Sequence, residues 1–285
     1  MIPTPFDYQA PASLEEAVSL LSGNPDGAKV LAGGHSLIPA MKLRLAQPQV
    51  LIDIARIKSL SYIREEGDQI LIGATTTHYQ IESSDLLKRI CPLLPACAAS
   101  IGDVQVRNKG TIGGSIAHSD PAGDWPAAVL ALDADLVLVG PNGERTVKAA
   151  NFFVSLMTTD IQPGEILREI RIAKPSGRFA QAYQKVPHPA SGFAVVGIAV
   201  NLALNDDGSC KAAQIGVTGV GIKAYRAQGV EAALAGQSLD EQTIASAAAH
   251  VCDGVAANKD LYASGEYRCH LAQVHTRRAL QAAKA

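Results

Sequence analysis

Cysteine is scarce in this chain and is never arranged in close pairs. The 285 residues include five well-separated cysteines and no C-x-x-C pair. Zinc ribbons and iron–sulfur clusters need thiolate pairs at fixed spacing, so the sequence predicts neither of them in this chain. The seven histidines also lack a metal-site spacing such as H-E-x-x-H, and we expect no metal. An odd number of scattered cysteines favours reduced thiols.

Charge excess and long apolar runs are missing as well. The 25 basic and 27 acidic residues nearly cancel, whereas a nucleic-acid-binding domain usually carries a basic excess or stripe. No apolar run is long enough to span a bilayer, and the first residues lack the basic and apolar stretches of a signal peptide. We therefore expect a compact cytoplasmic protein that binds no nucleic acid and has no membrane span.

The familiar nucleotide-binding and hydrolase motifs are also absent. The sequence contains no G-x-G-x-x-G of a Rossmann unit, no Gly-Lys-Ser/Thr of a P-loop and no G-x-S-x-G nucleophile elbow. No pair of residues stands out as a catalytic nucleophile and its base. The sequence therefore indicates a cofactor site more clearly than a substrate site.

Two glycine pairs are the strongest positive feature. The first glycine loop is Ala32-Gly33-Gly34-His35-Ser36 and the second is Thr111-Ile112-Gly113-Gly114-Ser115, each after an extended-looking segment. Glycine tolerates positive φ and lets backbone N–H groups converge on an anion such as phosphate. Either loop alone is typical of a structural turn. Together they predict a cleft that grips the diphosphate of a dinucleotide from two sides, where His35 would orient its loop or contact a phosphate.

The order of elements indicates an α+β protein with two domains. Residues 1–56 predict a compact α/β lobe in which Ser13 caps a helix, and residues 57–176 predict a second lobe of strands and helices. The Lys-Pro-Ser-Gly segment at 174–177 is the best boundary. Residues 177–285 predict three strands, at 179–185, 194–204 and 211–220, followed by Ala-rich helices.

Asp124 and Lys185 are candidates that the residues alone leave open. Asp124 lies in a segment flanked by proline and glycine. It would either accept hydrogen bonds from ribose or ribityl hydroxyls or be a solvated loop acid. Lys185 ends the first strand of the C-terminal domain. It would either be a surface lysine or a cation that stabilises the anionic reduced form of a flavin.

These motifs together resemble the FAD-binding medium subunits of molybdenum hydroxylases, the xanthine dehydrogenase and aerobic carbon monoxide dehydrogenase family. The resemblance rests on segments 31–39 and 111–115, on Asp120-Pro121 and on Asp124, and it covers almost the whole chain. It implies the vanillyl-alcohol-oxidase (PCMH) type of fold, with two lobes that clamp FAD. A small C-terminal domain with a three-stranded antiparallel sheet and helices would follow.

The resemblance also implies which residues bind FAD. Both glycine loops would hold the pyrophosphate, and Asp124 would form hydrogen bonds with the ribityl chain. Leu167 would pack near the adenine or flavin, and Ile101 would line the cleft. Lys185 would lie near the isoalloxazine. The implied FAD-binding residues are Ala32, Gly33, Gly34, His35, Ser36, Leu37, Ile101, Thr111, Gly113, Gly114, Ser115, Ala117, Asp124, Leu167, Lys185 and Phe193.

A division of labour among subunits follows from the same resemblance. Substrate would be oxidised at a molybdopterin centre in a large partner, and electrons would pass through two [2Fe–2S] clusters in a small partner to the FAD of this chain. The assembly would be a dimer of heterotrimers. The final acceptor is left open between NAD⁺, O₂, a quinone and others. The cysteine pattern agrees with this division, because the clusters must then lie on another chain.

Two segments depart from the carbon monoxide dehydrogenases. These are 115–118 and 188–193, where Phe193 takes the place of their tyrosine. The departures favour an N-heterocycle, ketone or aldehyde as the substrate of the large subunit. The alternatives are a carbon monoxide dehydrogenase medium subunit, a stand-alone FAD oxidase or dehydrogenase, and a non-enzymatic nucleotide-binding module.

Overall fold

The first lobe is a small parallel sheet with two crossover helices. A computed structural model describes residues 1–284 of the chain. The strands of this lobe are β1 (Asp7–Gln9), β2 (Ala28–Leu31) and β3 (Val50–Asp53), and its helices are α1 (Leu14–Ser22) and α2 (Leu37–Lys42). The strands lie in the order β1-β3-β2 and pair in parallel. As predicted, the Ser13 hydroxyl caps α1 and accepts a hydrogen bond from the Glu16 N–H at 3.2 Å.

The second lobe is an antiparallel five-stranded sheet covered by helices. Its sheet order is β4-β5-β10-β6-β7, from β4 (Ile63–Glu66), β5 (Gln69–Gly73), β6 (Asp135–Gly140), β7 (Gly143–Lys148) and β10 (Ile166–Ala173). A two-stranded ribbon, β8 (Phe153–Ser155) and β9 (Thr158–Thr159), precedes β10. The helices are α3 (His78–Ser83), α4 (Asp85–Ile90), α5 (Leu93–Ala99), α6 (Val104–Lys109), α7 (Ile112–His118), α8 (Asp124–Ala131) and α9 (Ala149–Phe152). Alternate apolar residues such as Ile70, Ile72 and Ile170 point from the sheet into the core beneath these helices.

The C-terminal part is an antiparallel sheet backed by helices. Its strands lie in the order β11 (Arg178–Pro187), β12 (Ala194–Leu204), β13 (Cys210–Thr218) and β14 (Tyr225–Arg226). Its helices are α10 (Gln228–Leu234), α11 (Glu241–Ala248) and α12 (Gly265–Lys284). The predicted antiparallel sheet is confirmed, with a fourth strand that the sequence did not indicate. That strand is only two residues long, too short to show an alternating pattern.

Helix α8 of the second lobe lies directly on the C-terminal sheet. A Cβ on Gly216 would fall on the carbonyl oxygen of Ala127, so glycine is needed for this close approach. The Thr218 hydroxyl is within hydrogen-bond distance of the carbonyl oxygens of Pro121, at 2.8 Å, and Gly123, at 2.7 Å. The segment that leads into α8 is therefore held by the C-terminal sheet.

The cysteines differ from the expectation of reduced thiols. Cys252 and Cys269 form a disulfide, with Cα atoms 6.0 Å apart, whereas Cys91, Cys97 and Cys210 are free and buried. The expectation was wrong for this pair because the chain folds back between α11 and α12. Sequence spacing carries no signal for that contact.

Across residues 1–284, no helix is both long enough and apolar enough to pass through a membrane.

Candidate functional site

The first glycine loop joins β2 to α2 and presents a run of free backbone N–H groups. Gly34 has a φ of +79°, which favours glycine. The N–H groups of Gly33, Gly34, His35 and Ser36 have no hydrogen-bond partner anywhere in residues 1–284. Backbone N–H groups seldom remain without a partner, and several in succession form a concave anion-binding surface. The loop therefore has the chemistry to hold a phosphate.

The second glycine loop is the first turn of a helix and not a loop after a strand. It follows α6 and opens α7, whose N-cap is Thr111; the Thr111 hydroxyl accepts a hydrogen bond from the Gly114 N–H at 3.1 Å. The Gly113 N–H donates to the Ala74 carbonyl at 2.9 Å. A Cβ on Gly113 would lie 2.5 Å from the Ala74 Cβ. Gly113 thus lets α7 lie against the end of β5.

The two glycine loops meet in space although they are far apart in sequence. A Cβ added to Gly33 would fall on the Lys109 carbonyl oxygen and lie 2.8 Å from the Gly110 Cα. A Cβ on Gly114 would lie 3.9 Å from the Ala32 Cβ. The close approach of backbone to backbone requires glycine here. The structure therefore forms one cradle from both loops.

Asp124 and Lys185 form a buried ion pair. The Lys185 ammonium lies 2.8 Å from the Asp124 carboxylate, and each side chain is only 5% exposed. The Tyr183 hydroxyl donates to the other Asp124 oxygen at 2.5 Å. The interpretations of Asp124 as a solvated loop acid and of Lys185 as a surface lysine are both wrong, because α8 packs its first residue against β11. The pair joins the second lobe to the C-terminal sheet.

The electrostatics of this pair follow from its burial. Loss of solvent raises the pKa of the Asp124 carboxyl, and the neighbouring Lys185 ammonium and Tyr183 hydroxyl oppose that rise. Burial also raises the pKa of the Tyr183 hydroxyl well above its ordinary value, with the Asp124 carboxylate adding to the effect. Tyr183 is therefore a protonated donor, and both Asp124 oxygens are engaged.

The chain on either side of Ile101 contacts Lys185 and the turn before Phe193. The Lys185 ammonium donates to the Ser100 carbonyl at 2.9 Å, one residue before Ile101. A Cβ on Gly192 would lie 3.9 Å from the Gly102 Cα, which brings the Phe193 turn to the same place. Phe193 is 44% exposed. The structure thus brings the segment that contains Ile101 close to Lys185 and to the turn that precedes Phe193.

The other predicted FAD-binding residues differ in their exposure to solvent. His35 is exposed, whereas Ser36, Leu37, Ser115 and Ala117 are partly buried along the two glycine loops and α7. Leu167 is 4% exposed and belongs to the core of the second lobe. Within residues 1–284, no three His, Cys, Asp or Glu side chains are clustered as a metal site would require.

Three residues near the site were missed by sequence reasoning: Tyr183, His78 and Trp125. Tyr183 precedes Lys185 by two residues and therefore shares its face of the strand, a spacing that was available as a signal. His78 and Trp125 are joined by a hydrogen bond of 3.0 Å from the indole N–H to Nδ1. They are 47 residues apart, and no sequence pattern connects them.

His78 predicts a pH dependence of stability. Burial lowers its pKa from 6.5 to about 4, helped by the nearby His35 and Arg107. Between these values the unfolded chain binds a proton that the folded chain does not. The free energy of unfolding should therefore fall as pH drops through this window, by up to about 3 kcal/mol. Urea unfolding at neutral pH and at about pH 5 measures this change, and a His78→Gln variant should lose this component. An unchanged pH slope in that variant would contradict the assignment.

Comparison with known proteins agrees with this geometry. Residues 4–175 match the family described as the FAD binding domain in molybdopterin dehydrogenase, and residues 181–283 match the CO dehydrogenase flavoprotein C-terminal domain. The chain is 41% identical to the carbon monoxide dehydrogenase medium chain of Hydrogenophaga pseudoflava, over 99% of this chain and 98% of the relative. It is 36% identical to the glyceraldehyde dehydrogenase medium chain of Sulfolobus acidocaldarius, over 99% of both chains.

A solved structure gives the same result. The carbon monoxide dehydrogenase of H. pseudoflava that lacks the Mo-pyranopterin moiety of its cofactor superposes with a TM-score of 0.96 at 42% identity. The match covers 99% of this chain and 98% of that one. The family predicted from the glycine loops is thereby confirmed: the chain belongs to the FAD-binding subunits of molybdopterin dehydrogenases, which are oxidoreductases of the xanthine dehydrogenase family.

Proposed function

We propose that this chain is the FAD-carrying electron-transfer subunit of a heterotrimeric molybdenum hydroxylase. The observation that carries the proposal is the contact of Gly33 in the first glycine loop with Gly110, the residue that leads into the second. It places four free backbone N–H groups beside the Thr111-capped turn of α7. The diphosphate of FAD is an anion that such a cradle fits. The isoalloxazine supplies electron transfer when the cofactor is bound.

The assignment of individual residues belongs to this proposal. The diphosphate would be held by the residues of the two glycine loops and α7. These are Ala32 to Leu37, Thr111, Gly113, Gly114, Ser115 and Ala117. A second group, Ile101, Asp124, Lys185 and Phe193, would face the flavin half of the cofactor. Leu167, whose side chain lies in the core of the second lobe, would pack near the adenine or flavin.

Lys185 has one donor to spare for the cofactor. An ammonium group carries three donors, and Lys185 uses one on Asp124 and one on Ser100. The third has no partner among residues 1–284, and we assign it to the bound flavin. The hydrogen bonds to Asp124 and Ser100 fix the direction of the ammonium group. A fixed cation of this kind would favour the anionic reduced cofactor.

Domains and partners complete the proposal. We assign residues 1–176 to the FAD-binding domain, with lobes at about 1–56 and 57–176, and residues 177–285 to the C-terminal domain. A large molybdopterin subunit and a small subunit with two [2Fe–2S] clusters would complete each heterotrimer, and two heterotrimers would pair. We also place the complex in the cytoplasm. Cell fractionation tests that placement.

The substrate class belongs to the large partner. We propose an N-heterocycle, ketone or aldehyde, in line with the departures at 115–118 and 188–193. Carbon monoxide is the second candidate, and the identity of 41% to a carbon monoxide dehydrogenase medium chain favours it. Assays of the purified complex with each substrate class and an artificial acceptor decide between them.

The FAD-subunit proposal predicts a yellow protein. The purified full chain should carry or take up about one FAD, released on denaturation and measured by its fluorescence. It should show no turnover of substrate unless the partner subunits are added. Unaided turnover would instead indicate a stand-alone oxidase or dehydrogenase. A colourless chain that takes up no FAD would contradict the proposal in favour of a scaffold.

A further inference from the structure

His78 and Trp125 form a buried pair, and neither residue has been assigned a role in FAD binding above. His78 is 4% exposed and Trp125 is fully buried. The Trp125 indole N–H donates to His78 Nδ1 at 3.0 Å. Since Nδ1 accepts this bond, the ring proton must lie on Nε2, and the ring is neutral. The low pKa of His78 agrees with a neutral ring.

His78 also contacts Gly110, the residue before the second glycine loop. The backbone N–H of His78 donates to the Gly110 carbonyl oxygen at 3.0 Å. A Cβ on Gly110 would lie 2.6 Å from His78 Nε2, so the ring lies directly against this glycine. Gly110 is also the residue that Gly33 touches. The ring of His78 therefore packs against Gly110, the same residue that the first glycine loop contacts through Gly33.

Trp125 connects the same ring to the other end of the site. It follows Asp124 in the first turn of α8, and Asp124 holds Lys185. A continuous chain of contacts thus runs from Gly33 through Gly110, His78 and Trp125 to the buried ion pair. Within residues 1–284, the bond between His78 and Trp125 is the only side-chain hydrogen bond that joins α3 to α8.

We propose that His78 is a positioning residue of the FAD site, which sets the distance between the glycine cradle and the Asp124–Lys185 pair through its hydrogen bond to Trp125. This inference rests on the proposed function. His78 touches no reacting atom in this assignment. Its role is to hold two groups of binding residues at the spacing that one cofactor molecule requires.

The variants His78→Phe and His78→Gln test this role in the full chain. Phenylalanine keeps a ring but removes the acceptor for the indole N–H, whereas the glutamine amide oxygen accepts that bond. We expect His78→Phe to raise the Kd for FAD by about tenfold or more, and His78→Gln to restore most of the affinity. The chain has one tryptophan, so its emission spectrum reports directly on this pair and should shift in His78→Phe only.

A matched control is His275→Phe, which replaces another buried histidine, 8% exposed, on α12. It should leave the Kd for FAD and the Trp125 emission unchanged. If His78→Phe does not fold, Trp125→Phe removes the same hydrogen bond from the other side and should weaken FAD binding to a similar extent.

The outcomes separate this inference from the proposed function. A wild-type chain that binds no FAD overturns both. A wild-type chain that binds FAD, with His78→Phe and Trp125→Phe binding it equally well, overturns the positioning role alone. The same Kd increase in His275→Phe as in His78→Phe also overturns it, since the effect would then be general destabilisation. Rescue by His78→Gln supports it.

Discussion

Replacing Gly33 with alanine is expected to weaken FAD binding severely. The new Cβ would fall on the Lys109 carbonyl oxygen and lie 2.8 Å from the Gly110 Cα. Both obstacles are backbone atoms, so neither can rotate away and one glycine loop must move from the other. Diphosphate binding depends on both loops at their present spacing. We expect the Kd for FAD to rise by at least about 100-fold, or about 2.7 kcal/mol, in flavin fluorescence titrations.

Gly23→Ala is the matched control for this substitution. Gly23 ends α1 with a φ of −73°, and its added Cβ would lie 3.4 Å from the Ser19 carbonyl oxygen, which is an ordinary contact. This variant should bind FAD like the wild type. Equal FAD affinity in Gly33→Ala and Gly23→Ala would show that the contact between the loops does not hold the cofactor.

Features encoded locally were readable from the sequence. The glycine pairs, the Ser13 cap and the long alternating strands of the C-terminal sheet depend on neighbouring residues, whose spacing is visible in one dimension. The sequence indicated only part of the reason why glycine is needed in the two loops. At Gly33 and Gly113 the space of a Cβ is taken by protein backbone and neighbouring side chains, whereas the sequence suggested only space for a phosphate.

Features that depend on distant contacts were not readable. Asp124 and Lys185 were both singled out, yet nothing in their separation of 61 residues indicates that they are bonded to each other. The same holds for His78 with Trp125 and for Cys252 with Cys269. Such pairs form because α8 packs on the C-terminal sheet and because chain segments fold back, and both are consequences of the tertiary fold.

Lys185→Met is expected to lower the stability of the chain as well as its affinity for FAD. Methionine matches the length of the lysine stem but leaves the Asp124 carboxylate buried without its cation. Breaking a buried ion pair in this way costs about 3–5 kcal/mol. Urea unfolding of the FAD-free chain measures the loss of stability. Lys148→Met is the control, since its pairs with Asp133 and Asp135 are partly exposed and should contribute about 1 kcal/mol or less.

The double variant Asp124→Asn with Lys185→Met separates the charge effect from packing. It removes both charges while the Tyr183 hydroxyl keeps an amide oxygen to bond. Because no uncompensated charge stays buried, the double variant should be more stable than Lys185→Met alone, and the two substitutions should not be additive. It should still bind FAD weakly, since the cation assigned to the flavin is gone. Additive losses would mean that Asp124 and Lys185 act independently and that the ion pair does not hold α8 to the C-terminal sheet.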